Sequence, residues 1–255
     1  MNAAKKLFLE NINLSFHSLG KTGPMIVLLH GWGASKERLF PLGKALTEIG
    51  FRVLIPDLPG FGKSSLPSRP WGVGEYADFI SKVIDKFYGK KKVYLFGHSF
   101  GGRVAIKIAS RYPKKIAGIA LCGSAGISRG NFFKRIFFLI LAKTGKQIFP
   151  QSERPRRLIY RLAREHDYEK TRGVMRETFK LVISEDLNPL LPKIKIPTLI
   201  LWGTEDKMTP VTDGFILEKT IPKAKLVLFE GKGHQLPYEK VKKIARVVNS
   251  WSQSS

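Results

Sequence analysis

Only one cysteine, Cys122, occurs in 255 residues, so no disulfide framework holds this chain and a reducing compartment suits it. No apolar run reaches the roughly 20 residues that a membrane-spanning helix needs. Behind Lys5 and Lys6 there is only a short alternating segment rather than the apolar core of a secretory leader, so the expected compartment is the cytoplasm. Histidine and cysteine nowhere cluster at metal-ligand spacing, and no metal is expected. Gly62-Lys63-Ser64 imitates the end of a Walker A loop, but Asp57 stands where that loop needs its first glycine. No phosphate cradle and no cofactor are therefore expected. Repeats and long low-complexity tracts are missing too, and only the tail 252–255 reads as disordered.

Acidic residues are scarce: 20 stand against 44 basic ones, for a net charge of +24. Divided after residues 125 and 190, the chain carries net charges of +12, +7 and +5. This spread is nearly even, whereas a nucleic-acid binder gathers its charge in a patch or stripe. No specific nucleic-acid partner is expected. A generally basic surface instead attracts anionic substrates and lipid headgroups weakly and non-specifically.

What is present centres on Val93-Tyr94-Leu95-Phe96-Gly97-His98-Ser99-Phe100-Gly101-Gly102. An apolar, β-branched run leads into G-x-S-x-G, and a helical pattern follows from Arg103. That order predicts a strand, a tight bend and a helix, with the Ser99 hydroxyl exposed on the bend as a candidate nucleophile. Gly97 and Gly101 lack a Cβ and let the helix cross the strand closely.

A serine hydroxyl needs a base, and the base needs an orienting acid. Of five histidines, His17 falls in an N-terminal strand, His166 in a charged helix, His98 inside the bend and His30 in a glycine turn. His234 remains, on the loop Gly231-Lys232-Gly233-His234 after the apolar run Leu226-Val227-Leu228-Phe229. Asp206 follows another apolar strand and is the preferred acid, with its neighbour Glu205 as the alternative. Acyl transfer also needs two amide donors for the developing oxyanion. The Phe100 N–H directly follows the nucleophile. The Trp32 N–H lies in His30-Gly31-Trp32-Gly33, after the strand Met25-Ile26-Val27-Leu28-Leu29. The Trp32 ring then makes an apolar wall. Asp57 reads as a turn residue ordering the loop Pro59-Gly60-Phe61-Gly62.

Together with Asp57-Leu58-Pro59-Gly60-Phe61-Gly62-Lys63-Ser64 and Trp202-Gly203-Thr204-Glu205-Asp206, these segments resemble the α/β-hydrolase superfamily on its serine-nucleophile, carboxylesterase-like side. The similarity spans nearly the whole chain. It implies Ser99, Asp206 and His234 as a catalytic triad, with Trp32 and Phe100 as oxyanion donors. Ser99 excludes the aspartate-nucleophile branches, the haloalkane dehalogenases and epoxide hydrolases. His30-Gly31-Trp32-Gly33 resembles carboxylesterases, while Gly101-Gly102-Arg103-Val104-Ala105 resembles a menaquinone-pathway lyase of the same fold.

Near-continuous apolar runs at 26–29, 53–55, 93–96, 116–122, 198–202 and 226–229 predict strands of a mostly parallel sheet covered on both faces. Helical patterns at 36–49, 76–87, 103–111, 215–220 and 239–251 flank them, and alternation over 7–19 predicts an antiparallel edge. Cys122 then lies buried in the fourth of the six runs. An α/β fold follows, with a core domain over 1–124 and 191–255. The span 125–190 carries helical signals without strands, and the resemblance implies a helical lid there. Its apolar run contains Phe137 and Phe138, which either seal onto the core, line the substrate site or, flanked by Lys134, Arg135, Lys143 and Lys146, touch a membrane surface. The expected function is hydrolysis of carboxylic esters or related acyl compounds, with a small apolar acyl substrate. A C–C hydrolase or lyase on the same triad is one alternative. The others are an enzyme acting at lipid surfaces and a binding protein with little turnover.

Overall fold

The computed structural model describes residues 4–127 and 173–254. Eight strands form one sheet in the order β1-β2-β4-β3-β5-β6-β7-β8. A hairpin of β1 (Lys5–Leu9) and β2 (Ile12–Leu19) turns at Glu10 and Asn11, both at positive φ, and supplies the antiparallel edge. The remaining strands, β3 (Met25–Leu29), β4 (Arg52–Pro56), β5 (Val93–His98), β6 (Ile116–Cys122), β7 (Thr198–Gly203) and β8 (Ala224–Phe229), are mutually parallel.

The unbroken apolar character of the central strands has a direct cause. Met25, Val27 and Leu29 of β3 enter one core, and Ile26 and Leu28 enter the other. Helices α1 (Lys36–Glu48) and α7 (Val241–Gln253) cover the second face through Leu39, Leu42, Leu46, Ile244 and Val248. Helices α2 (Val73–Tyr88), α3 (Phe100–Arg111) and α5 (Val211–Thr220) cover the first through Tyr76, Ile80, Val104, Ile108 and Leu217. The residues of the central strands are thus covered by helices on both faces.

Several boundaries differ from the sequence expectation for local reasons. α2 starts at Val73 because the Glu75 carboxylate reaches back 2.9 Å to the Gly72 N–H. The helix expected over 239–251 is two, α6 (Leu236–Glu239) and α7, separated at Lys240. α7 runs to Gln253 and so takes in part of the tail expected to be disordered. Cys122 is buried, and burial pushes its thiol well above its usual range. Within the span assigned to a lid, α4 (Val174–Ser184) is helical. Residues 128–172, with Phe137, Phe138 and His166 among them, lie outside the described residues. No helix among the described residues is long and apolar enough to cross a membrane.

The chain moves from β3 to β4 on one side and then crosses back to β5 on the other. Such a reversal opens a crevice at the carboxyl ends of β3 and β5, where ligands of open α/β sheets bind. The loops carrying Trp32 and Ser99 leave the sheet there.

Candidate active site

β5 ends at His98, and Ser99 turns the chain at φ 52° and ψ −111° before α3 begins at Phe100. The crossing is close: a Cβ on Gly101 would lie 2.1 Å from the Leu29 oxygen, and one on Gly97 2.5 Å from the Gly101 oxygen. Both positions therefore require glycine. Ser99 is half-buried, its N–H donates to the Cys122 oxygen at 3.2 Å, and its carbonyl accepts from Ala125 at 3.1 Å. The first-turn amides of α3, Phe100 foremost, carry the positive end of the helix dipole.

Asp206 and His234 meet at the ends of β7 and β8. The Asp206 Oδ2 lies 2.7 Å from His234 Nδ1. A carboxylate only accepts, so Nδ1 carries the proton and Nε2 keeps a free lone pair. Oδ1 accepts the N–H groups of Met208 and Thr209 at 2.7 and 2.8 Å, which closes the turn after β7. Burial alone would raise the Asp206 carboxyl; the bonds from His234 and Thr209 outweigh it and hold the group below its usual range. Glu205 is exposed, and it is Asp206 that bonds His234. Gly123, one residue beyond the Cys122 bonded to Ser99, packs against this pair. A Cβ there would lie 3.1 Å from Asp206 Oδ2 and 3.3 Å from His234 Nδ1.

The turn after β3 is held from behind. His30 is fully buried; its Nε2 accepts the Leu58 N–H at 3.0 Å, so Nδ1 carries the proton and donates to the Gly31 oxygen at 2.8 Å. Burial lowers the His30 imidazole below its usual range and keeps it neutral. The Gly31 carbonyl also accepts from Ala34 at 3.2 Å. The peptide bonds of the described residues are trans, so fixing that carbonyl aims the Trp32 N–H the opposite way. Asp57 does more than order its own loop. Its carboxylate accepts from Lys63 N–H at 2.8 Å, Lys36 N–H at 2.7 Å and Lys36 Nζ at 2.7 Å. This buried ion pair ties the 57–63 loop to the start of α1.

Rings enclose the Trp32 side. Its indole lies 4.8 Å from Phe61, 5.3 Å from Phe100 and 4.9 Å from Phe179 of α4. α4 reaches this position because Arg103 of α3, buried and charged, donates to the Val182 and Glu185 carbonyls at 2.8 and 2.9 Å. Among the described residues no cluster of His, Cys, Asp and Glu could hold a metal ion.

Residues 26–247 match the model of a family described as the Alpha/beta hydrolase family. The chain belongs to this family. The hydrolase is 25% identical to "Lipase 1" of Psychrobacter immobilis over 90% of this chain and 75% of that one. It is 27% identical to a 2-hydroxy-6-oxononadienedioate/2-hydroxy-6-oxononatrienedioate hydrolase of Comamonas testosteroni, over 91% of this chain and 88% of that one. An esterase from Exiguobacterium antarcticum shares the fold, with TM-score 0.76 and 21% identity over 99% of this chain and 100% of that one.

The sequence reading missed Thr209, Tyr238 and the roles of His30, His98 and Arg103. Thr209 Oγ1 lies 2.8 Å from Asp206 Oδ2, 3.2 Å from His234 Nδ1 and 3.2 Å from the Gly123 oxygen. Its only signal in the sequence is a position three residues after the acid, where a turn brings it back.

Proposed function

We propose that this hydrolase cleaves carboxylic esters through a covalent acyl-enzyme on Ser99. The observation that carries the reading is the Asp206–His234 pair, bonded at 2.7 Å, at the same sheet edge as a serine on a left-handed bend. His234 Nε2 takes the Ser99 proton as Oγ attacks the carbonyl carbon. The oxyanion accepts hydrogen bonds from the Trp32 and Phe100 amides, and Asp206 stabilises the imidazolium that forms. The tetrahedral intermediate collapses by breaking the ester C–O bond, and His234 returns the proton to the departing alcohol. Water, deprotonated by His234, then attacks the acyl carbon and releases the acid with Ser99 restored.

Trp32, Phe61, Phe100 and Phe179 favour an apolar acyl group. The two buried cations among the described residues support the same choice. Lys36 is committed to Asp57 and Arg103 to backbone carbonyls, and neither is free for a charged acyl chain.

p-Nitrophenyl esters of increasing chain length test the reading. Turnover should rise to an optimum chain length, and Ser99→Ala should lower kcat by about 10⁴-fold or more while the circular dichroism spectrum stays unchanged. Full ester turnover by Ser99→Ala, or turnover of 2-hydroxy-6-oxodienoates with none of esters, would overturn it.

A further inference from the structure

We propose that His98 is a positioning residue for this reaction, which locks the His234 loop, the Ser99 bend and the Gly31 turn into one arrangement. This rests on the serine-hydrolase reading above. The chemistry itself makes no use of His98, yet the side chain is buried at the centre of the site. Its ring lies 4.8 Å from that of His234, and its Nε2 is 2.9 Å from the His234 carbonyl oxygen. A carbonyl only accepts, so Nε2 carries the proton. Nδ1 therefore accepts the Tyr238 hydroxyl at 3.0 Å.

Tyr238 is itself braced. The Arg38 guanidinium lies 4.3 Å over its ring and donates to Gln235, the residue after His234, at 2.7 Å. The loop is thus tied from within through His98 and from outside through Arg38. On the opposite side, a Cβ on Gly31 would sit 3.3 Å from His98 Nδ1 and 3.4 Å from the Ser99 Cβ. One ring therefore bonds the His234 loop, adjoins the Ser99 bend in sequence and lies close beside the Gly31 turn, the three segments that the reaction must align.

The post calls for a neutral group that donates on one side and accepts on the other. A lysine or arginine there would set a fixed cation beside His234 and oppose its protonation during turnover. Burial pushes His98 down to about 3 and Tyr238 up to about 12, so both keep this proton pattern across the neutral range.

Three variants of the full chain, His98→Phe, His98→Gln and Tyr238→Phe, provide the test. kcat and KM for p-nitrophenyl acetate would be measured per folded molecule, with the rate at which a fluorophosphonate labels Ser99. His98→Phe should lower kcat and the labelling rate together by about 10- to 100-fold, with KM changed less than about twofold. His98→Gln, whose amide can still donate to the His234 carbonyl, should recover most of that loss. Tyr238→Phe should fall between. Wild-type kcat and labelling in His98→Phe would overturn the proposal, as would equal losses in His98→Phe and His98→Gln. If His98→Phe does not fold, Tyr238→Phe decides: lowered kcat at unchanged KM supports the proposal, and unchanged kcat overturns it. A wild-type chain that no fluorophosphonate labels would instead overturn the serine-hydrolase reading.

Discussion

At Ser99 an L-residue holds φ 52°, a conformation that costs about 1–3 kcal/mol and persists only where its surroundings enforce it. Ser99→Ala keeps that strain, whereas Ser99→Gly relieves it. In urea unfolding, Ser99→Gly should be more stable than Ser99→Ala by about 1 kcal/mol, and equal stability would show the bend to be unstrained. Asp206→Asn should lower kcat by about 10⁴-fold, because an amide no longer holds His234 in the tautomer that leaves Nε2 free. Glu205→Gln should leave kcat unchanged, and the reverse order would name Glu205 as the acid. pH acts through His30 and His98, both lowered by burial. Between about 6.5 and about 3 the unfolded chain binds protons that the folded chain refuses, so stability falls as pH falls through that window. Urea midpoints at pH 7, 6, 5 and 4 should decline in wild type and decline less in His98→Gln. Ser99, His234 and Asp206 were legible because turn glycines and strand ends announce them. His98 was not, since the carbonyl it bonds lies 136 residues away and no spacing rule joins them, and Thr209 offered only its place three residues after Asp206.

The elements themselves were legible where apolar runs and turn residues agree, and β6 spans 116–122 as expected. Their ends were missed where a single contact decides, as with Glu75 on the Gly72 N–H. The way α3 holds α4 could not be read at all. Arg103 reads as one polar residue in an amphipathic helix, yet it is buried and caps the Val182 and Glu185 carbonyls. Gly126 accepts the Leu187 N–H at 3.1 Å, which joins two described segments far apart in sequence at one anchor. Arg103→Met should cost about 2–3 kcal/mol in thermal or urea unfolding, because both carbonyls lose a charged donor. It should also alter the chain-length profile of ester turnover, since α4 carries Phe179 onto Trp32. An unchanged stability would show that α4 is held by its other contacts, the bond from the Trp71 N–H to Thr178 Oγ1 at 3.0 Å among them.

Across the whole molecule, the net charge of +24 is a property of surface and partners rather than of the fold. It predicts sedimentation with anionic phosphatidylserine vesicles at about 10 mM salt and release at about 0.5 M, where screening is short-ranged. Binding that survives high salt would point to inserted apolar side chains instead. The proposed reaction turns on one atom, the Ser99 Oγ, and on whether the surrounding groups activate it. The most direct measurement is reaction with a fluorophosphonate at pH 7, followed by mass spectrometry of the modified peptide. A single adduct on Ser99, formed in step with loss of esterase activity and blocked in Asp206→Asn, is the expected result. An adduct on another residue, or none while ester turnover continues, would contradict it.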